Sequence, residues 1–336
     1  MKPKLVCIDK TFLNGASGHH LPLFSKYFAV SNFDPSLEYD SNTTFIYQRD
    51  EARAKAKQYE KVSKFIADAV WETEFFCLNT FDERTLGLAA AGHNNNNRVL
   101  QIPKWFWFEE HFSQQDKKPL IKSLPSVHNK SKSFLLQMGD AKPPRVKLYN
   151  ALERNNLLNN ALYSFLAYGI ALEGPCPTYT EDHELMIEDM IGDGPEPPFQ
   201  QRAYRPEWYN TTQFTLVAEA INEIVDGPTD CFITEKTMKP IMYGHPFLLL
   251  SDNQSYKTLE SWGFNTFPEL FDQSIDNESD LDKKIESICI QIANYKNLDV
   301  QNKIQENFNR FWNRELVEEL MIKEMIEPML EFISKK

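Results

Sequence analysis

The chain has 336 residues, 42% hydrophobic and 25% charged, enough apolar material for one large or two ordinary soluble domains. A net charge of −12 disfavours nonspecific binding to nucleic acid or to an anionic membrane, although eight Lys or Arg stand against the single acid Asp140 between Lys117 and Lys147. Five scattered cysteines without a C-x-x-C pair argue against a zinc site or a disulfide framework, and neither a signal peptide nor an apolar run of about 20 residues is present, so a cytoplasmic protein without a membrane span is expected.

Leu5–Ile8 reads as a first strand, followed by a glycine-bearing loop that ends in His19 and His20. Thr43–Tyr47 is a second strand. Asp50–Val70 has helical composition, with Val62, Phe65, Ile66, Ala69 and Val70 on one stripe, and Glu74–Leu78 is a third strand. That β-α-β order predicts a parallel sheet. The Gly92–Asn97 stretch is a polar loop, Trp105–Phe108 is a dense aromatic cluster, and the basic segment Lys117–Lys132 is a linker. A new strand at Ser133–Gly139 leads through Pro143 and Pro144 into an amphipathic helix from Arg145 to about Asn155, with proline where a first helical turn tolerates it. Leu162–Phe165 is a short strand, and 174–212, rich in proline and charge, is an insertion or long loop. Phe214–Glu219 is a strand ending in an acid. Cys231–Ile233 then feeds Thr234-Glu235-Lys236 and a helix through Tyr243, followed by the buried strand His245–Leu250. Ile285–Tyr295 and Asn302–Phe332 are helical.

Two strand-to-helix junctions carry groups suited to one kind of ligand. A diphosphate needs cations and helix N-terminal amides, and a ribose diol needs an acceptor such as a carboxylate. Glu235 beside Lys236 supplies an acid and a cation in one turn, and Arg145 stands at the second junction. In doubly wound sheets ligands gather at the carboxyl ends of strands.

The run Phe214–Glu219, Ile233-Thr234-Glu235-Lys236-Thr237-Met238-Lys239-Pro240-Ile241 and Gly244-His245-Pro246-Phe247 resembles the donor-binding region of the α-1,3-fucosyltransferases. It is closer still to glycosyltransferase-like proteins of large viruses, phages and bacteria. These share the Thr-Glu-Lys-Thr-x-Lys-Pro-Ile pattern, a Gly-Phe-x-Thr-Phe segment (here Gly263–Phe267) and a Lys-Pro-x-Arg helix start (here Lys142–Arg145). The resemblance covers residues 133 to 275. It implies an α/β, GT-B-like fold with two Rossmann-like domains facing a cleft: 1–125 on the acceptor side, 133–305 binding the donor, and a C-terminal helix, 306–336, packing back on the first domain. It implies a glycosyltransferase that moves a sugar from a UDP- or GDP-linked donor to a hydroxyl of a glycan or of a hydroxymethylated base in phage DNA. Glu235 would bind the ribose, Lys236 and Arg145 the diphosphate, Glu219 the sugar or a ribose hydroxyl, with Thr234 and Lys239 in the same donor turn. The alanine after Glu219 stands where the fucosyltransferase pattern has asparagine.

An inverting enzyme needs a base for the acceptor proton. Asp9, His19, His20, Glu109 and Glu110 are the candidates in the first half of the chain. The one Asp-x-Asp, Asp280-Leu281-Asp282, sits in a polar run before a helix and reads as a helix start, which favours a metal-independent enzyme using no cofactor beyond the nucleotide sugar. Each site residue also has a plain structural reading. Glu235 and Lys236 suit a capped helix start with a solvated pair, Arg145 a surface helix charge, Glu219 a structural acid, Lys239 an exposed lysine, His19 and His20 solvated loop histidines, and Trp105 and Trp107 a structural cluster. The alternative function is a non-catalytic nucleotide- or glycan-binding scaffold.

Overall fold

The computed structural model describes residues 2–7, 21–32, 43–48, 74–78, 99–102, 105–113, 115, 118–121, 123–126, 130–139, 141–172, 205–219 and 233–334. The chain divides into two compact units, one of residues 1–118, 224–238 and 310–336, the other of 119–223 and 239–309. Each is an α/β unit on a parallel sheet, so the expected α/β class holds.

The sheet of the first unit contains β1 (Lys4–Cys7), β2 (Ala29–Asn32), β3 (Thr43–Gln48), β4 (Glu74–Leu78) and β5 (Val99–Ile102), in the order β2-β1-β3-β4-β5. Parallel neighbours need a crossover. Between β1 and β2 it includes α1 (Leu21–Tyr27), with Leu23 and Phe24 buried together with the following Phe28. The aromatic cluster expected at Trp105–Phe108 opens a helix, α2 (Trp105–Ser113), whose Trp107, Phe108 and Phe112 are buried. The helix expected over Asp50–Val70 and the loop at Gly92–Asn97 lie outside the described residues.

In the second unit β6 (Lys132–Met138), β7 (Ala161–Phe165), β8 (Thr212–Ala218) and β9 (Phe247–Leu250) are parallel in the order β7-β6-β8-β9. Their runs are nearly continuous in apolar residues because helices cover both faces of such a sheet. Phe134, Leu135, Leu136, Phe214, Leu216 and Phe247–Leu250 are buried. The helices are α3 (Pro143–Arg154), α4 (Pro206–Thr211), α5 (Glu235–Tyr243), α6 (Ser255–Ser261) and α7 (Leu281–Ala293). Helix α4 occupies the end of the segment expected to be a long loop; residues 174–204 of that segment are outside the described set. The first four residues of α5 belong to the first unit and the rest to the second.

Helix α5 ends in a Schellman turn. Gly244 takes φ +69°, its N–H donates to Ile241 O, and the His245 N–H reaches back to Pro240 O at 2.8 Å. The next residue is a buried histidine with both ring nitrogens bonded. Nε2 lies 2.8 Å from the Thr212 carbonyl, which only accepts, so Nε2 carries the proton and Nδ1 accepts from the Thr215 hydroxyl at 2.8 Å. Burial holds His245 neutral, with its pKa lowered to about 3. Nearby, Lys130 Nζ donates to the Tyr209 and Asn210 carbonyls in the last turn of α4, and burial lowers its pKa to about 8. Lys130 falls inside the segment read from the sequence as a linker.

The Asn302–Phe332 stretch is not one continuous helix. Helix α8 (Gln301–Trp312) ends at Asn313, whose side chain accepts the Leu316 N–H and starts α9 (Arg314–Met321). A π turn over Ile322–Ile326 follows, with Glu327 N–H bonded to Ile322 O, and then α10 (Glu327–Ser334). Pro328 accounts for the widening: it has no N–H, and its ring would strike the carbonyl four residues back in a regular α-helix. Within the first unit α9 packs on α2, and the last carbonyls of α8 are capped from elsewhere in the sequence. His111 Nδ1 donates to Phe311 O at 2.6 Å and Lys118 Nζ to Trp312 O at 3.0 Å. Among the described residues no helix is long and apolar enough to cross a membrane.

Candidate functional site

The order β7-β6-β8-β9 places the second unit's switch point between β6 and β8. From β6 the chain crosses to β7 on one side, and β8 pairs with β6 on the other. The crevice at the carboxyl ends of two such strands is where doubly wound sheets bind ligands. The sequence puts a basic and an acidic residue there. Arg145 lies in the first turn of the helix that follows β6, and Glu219 directly follows β8. Glu219 N–H bonds Leu250 O at 2.9 Å, which extends the β8–β9 pairing by one residue and holds Glu219 at the strand end. Neighbouring strands lie about 4.8 Å apart.

Both side chains are enclosed, Arg145 at 3% exposure and Glu219 at 2%. Arg145 is therefore not a surface helix charge, and its Nε has no hydrogen-bond partner. A buried guanidinium left short of partners is unfavourable, and it is relieved by a carboxylate, a bound anion or water. The helix end itself offers little to an anion, contrary to the expectation that its amides would help. Pro143 and Pro144 have no N–H, and the amides of Arg145 and Val146 both donate to Lys142 O, at 2.9 and 3.0 Å. Anion binding at this junction falls to the guanidinium.

The Thr-Glu-Lys turn is a capped helix start, and its pair is part-buried. Thr234 is fully buried; its Oγ1 accepts the Lys236 N–H and its carbonyl accepts the amides of Thr237 and Met238. Lys236 Nζ sits 2.7 Å from Glu235 Oε1, with side-chain exposures of 18% and 12%. The Lys236 and Thr237 amides are thus committed to the cap, and the cation of this turn is paired with Glu235. Lys239, on the same helix, is buried rather than exposed.

His19, His20 and Asp9 lie outside the described residues. Glu109 lies on α2, and its side chain is outside the described set; Glu110, next on α2, is 1% exposed. His111, which the sequence reading passed over, is buried and neutral: burial lowers its pKa to about 4. Trp107 packs in the core and stacks on Phe108 at 5.8 Å, in keeping with the structural reading of the cluster. Asp280 is the N-cap of α7, accepting the N–H groups of Asp282 and Lys283, so Asp280-Leu281-Asp282 is a helix start as expected.

The Gly263–Phe267 motif forms a corner after α6. Gly263 and Phe264 close a second Schellman turn onto Glu260 and Leu259, and Asn307 clamps Asn265 through its N–H and C=O at 2.7 and 2.8 Å. Thr266 donates to Glu260 at 2.7 Å. These polar contacts are structural, a distinction that the sequence pattern does not carry.

No family model matches the chain, and no curated protein matches it. Among solved structures it is similar to an α1,3-fucosyltransferase at 10% identity and a TM-score of 0.43, over 94% of this chain and 92% of that one. It is similar to an α1,3-fucosyltransferase with GDP-fucose at 12% identity and the same TM-score, over 94% of this chain and 91% of that one.

Proposed function

We propose that the chain is a glycosyltransferase that moves a sugar from a UDP- or GDP-linked donor to a hydroxyl acceptor in the cytoplasm, by inverting, metal-independent chemistry. The observation that carries the reading is the enclosed Arg145 guanidinium, with Nε unpartnered, at the switch point where Glu219 ends the adjacent strand. In this reading Arg145 and Lys236 hold the diphosphate, Glu235 the ribose and Glu219 the sugar or a ribose hydroxyl. Thr234 and Lys239 shape the donor turn. The acceptor is a glycan or a hydroxymethylated base of DNA.

In the transfer the acceptor oxygen bonds to the anomeric carbon as the bond from that carbon to the phosphate oxygen breaks. The nucleoside diphosphate leaves with the electron pair, and fixed cations stabilise the charge that grows on it. A base takes the acceptor proton, and His19, His20, Glu109 and Glu110 are the candidates.

The test is calorimetric titration with UDP and GDP on the wild type and on Arg145→Ala, beside donor hydrolysis in EDTA. Wild-type binding that falls about tenfold or more in the variant, a loss of about 1.5–3 kcal/mol for a charge-assisted contact, supports the site. Equal binding by both proteins sinks it. Binding with no transfer or hydrolysis would identify a nucleotide-binding scaffold.

A further inference from the structure

The Thr-Glu-Lys turn holds its cation in a way that a plain helix start does not require. Residues one apart on a helix do not face each other. Lys236 nevertheless folds back over the turn, with Nζ 2.7 Å from Glu235 Oε1 and 3.4 Å from the hydroxyl of fully buried Thr234. The arrangement runs against the electrostatics of the helix. The amino end of a helix carries partial positive charge and favours an anion. An ammonium folded over the first turn of α5 is therefore unfavourable unless a negative charge accompanies it, and Glu235, the first residue of the helix, is that charge.

The pair is also largely withdrawn from water, with side-chain exposures of 18% and 12%. Both groups have given up hydration, so their attraction adds little to stability. For binding the pairing has a clear consequence. Beside Glu235 the field of the ammonium is largely cancelled at a distance, and the carboxylate only accepts hydrogen bonds. A phosphate arriving alone meets the attraction of Lys236 and the repulsion of Glu235 together. A nucleoside diphosphate brings a ribose diol next to its phosphates. The diol donates to the carboxylate while the phosphate oxygens accept from the ammonium. The two halves of the pair match adjacent parts of one ligand.

We infer that Glu235 makes the donor turn selective for phosphates that carry a nucleoside. It accepts the ribose hydroxyls and, paired with Lys236, weakens the hold of that cation on pyrophosphate. This rests on the glycosyltransferase reading, which gives Glu235 the ribose and Lys236 the diphosphate, and deepens it by stating which phosphate ligands the site turns away.

Calorimetry with GDP, UDP and inorganic pyrophosphate on the wild type and Glu235→Gln tests it, with a thermal melt to check that the variant folds. Glutamine keeps the shape of the side chain and an oxygen for Lys236, and removes the charge. Loss of a carboxylate charge beside a bound phosphate strengthens phosphate binding roughly tenfold once solvent and salt screening are allowed for. Glu235→Gln should therefore gain about that factor for pyrophosphate. GDP and UDP should bind no tighter than to the wild type, because the ribose loses its charged acceptor and a neutral one holds it more weakly. The gain for one ligand alone separates the charge effect from structural damage, which would weaken all three. Equal pyrophosphate binding by the two proteins, or none by either, overturns the selectivity. A gain for GDP and UDP as large as that for pyrophosphate overturns it too, since Glu235 would then repel phosphate without reading the ribose. In each of those cases a wild type that binds GDP or UDP, with Arg145→Ala weakened, leaves the functional reading standing. A wild type that binds neither nucleoside diphosphate sinks the functional reading itself.

Discussion

Two buried histidines, one in each unit, make acid stability a sharp test of the packing. His245 has a pKa lowered to about 3 and His111 to about 4, both from an ordinary value of 6.5 and both chiefly through burial. Each is neutral in the folded chain and protonated in the unfolded chain between those limits. The unfolded state therefore binds more protons as the pH drops below about 6.5, and the folded state loses stability until each folded pKa is reached. At about 1.4 kcal/mol per pH unit, going from pH 7.5 to 4.5 costs about 2–3 kcal/mol for each histidine. Asp276 works in the opposite sense, because burial raises its pKa and the folded state then takes up its proton first as the pH falls. Comparing wild type with variants cancels that background. Urea unfolding of wild type, His245→Gln, His111→Gln and the double variant at the two pH values measures the effect. Each single variant should lose about 2–3 kcal/mol of the pH-dependent drop, and the double variant about twice that. A double variant that keeps the full wild-type drop would place the acid sensitivity in carboxylates and refute the account of the two histidines.

Gly244→Ala should destabilise the chain by about 1–3 kcal/mol in urea, because a β-carbon there lies 2.7 Å from Leu124 Cδ2 and the residue sits at φ +69°. Adding Leu124→Ala relieves the contact but not the backbone strain, so the double variant should still carry the part due to φ, and a cost that vanishes with the leucine would show that strain is not involved. Lys236→Ala should weaken nucleoside diphosphate binding by roughly 1.5–3 kcal/mol and leave nucleoside binding alone, whereas Glu235→Ala should weaken both. Wild-type affinity in both variants by calorimetry would remove the Thr-Glu-Lys turn from the donor site.

Much of the second unit was legible in the sequence. Continuous apolar runs such as Phe134–Leu136 and Phe247–Leu250 mark strands covered on both faces, and Pro143-Pro144 marks a helix start. Proline, capping threonine and strand-terminal acids act through the chain on either side of them, so Arg145, Glu219 and Thr234-Glu235-Lys236 could be picked out as junction residues by local pattern. The four-residue strands β2 and β5 and the short helices α1 and α4 were not read, because so few residues carry too little periodicity against their surroundings. What local pattern cannot hold is which junctions meet. Strand order is a property of pairing between distant segments, and only that order makes the ends of β6 and β8 neighbours. Burial is non-local in the same way. Nothing in the residues beside Arg145 says that its guanidinium is enclosed with Nε unsatisfied, or that His245 will be locked between Thr212 and Thr215, some thirty residues earlier. The local code chose the residues, and the tertiary structure decided which of them stand at one strand edge, because hydrogen-bond pairing and desolvation depend on what the rest of the chain brings alongside.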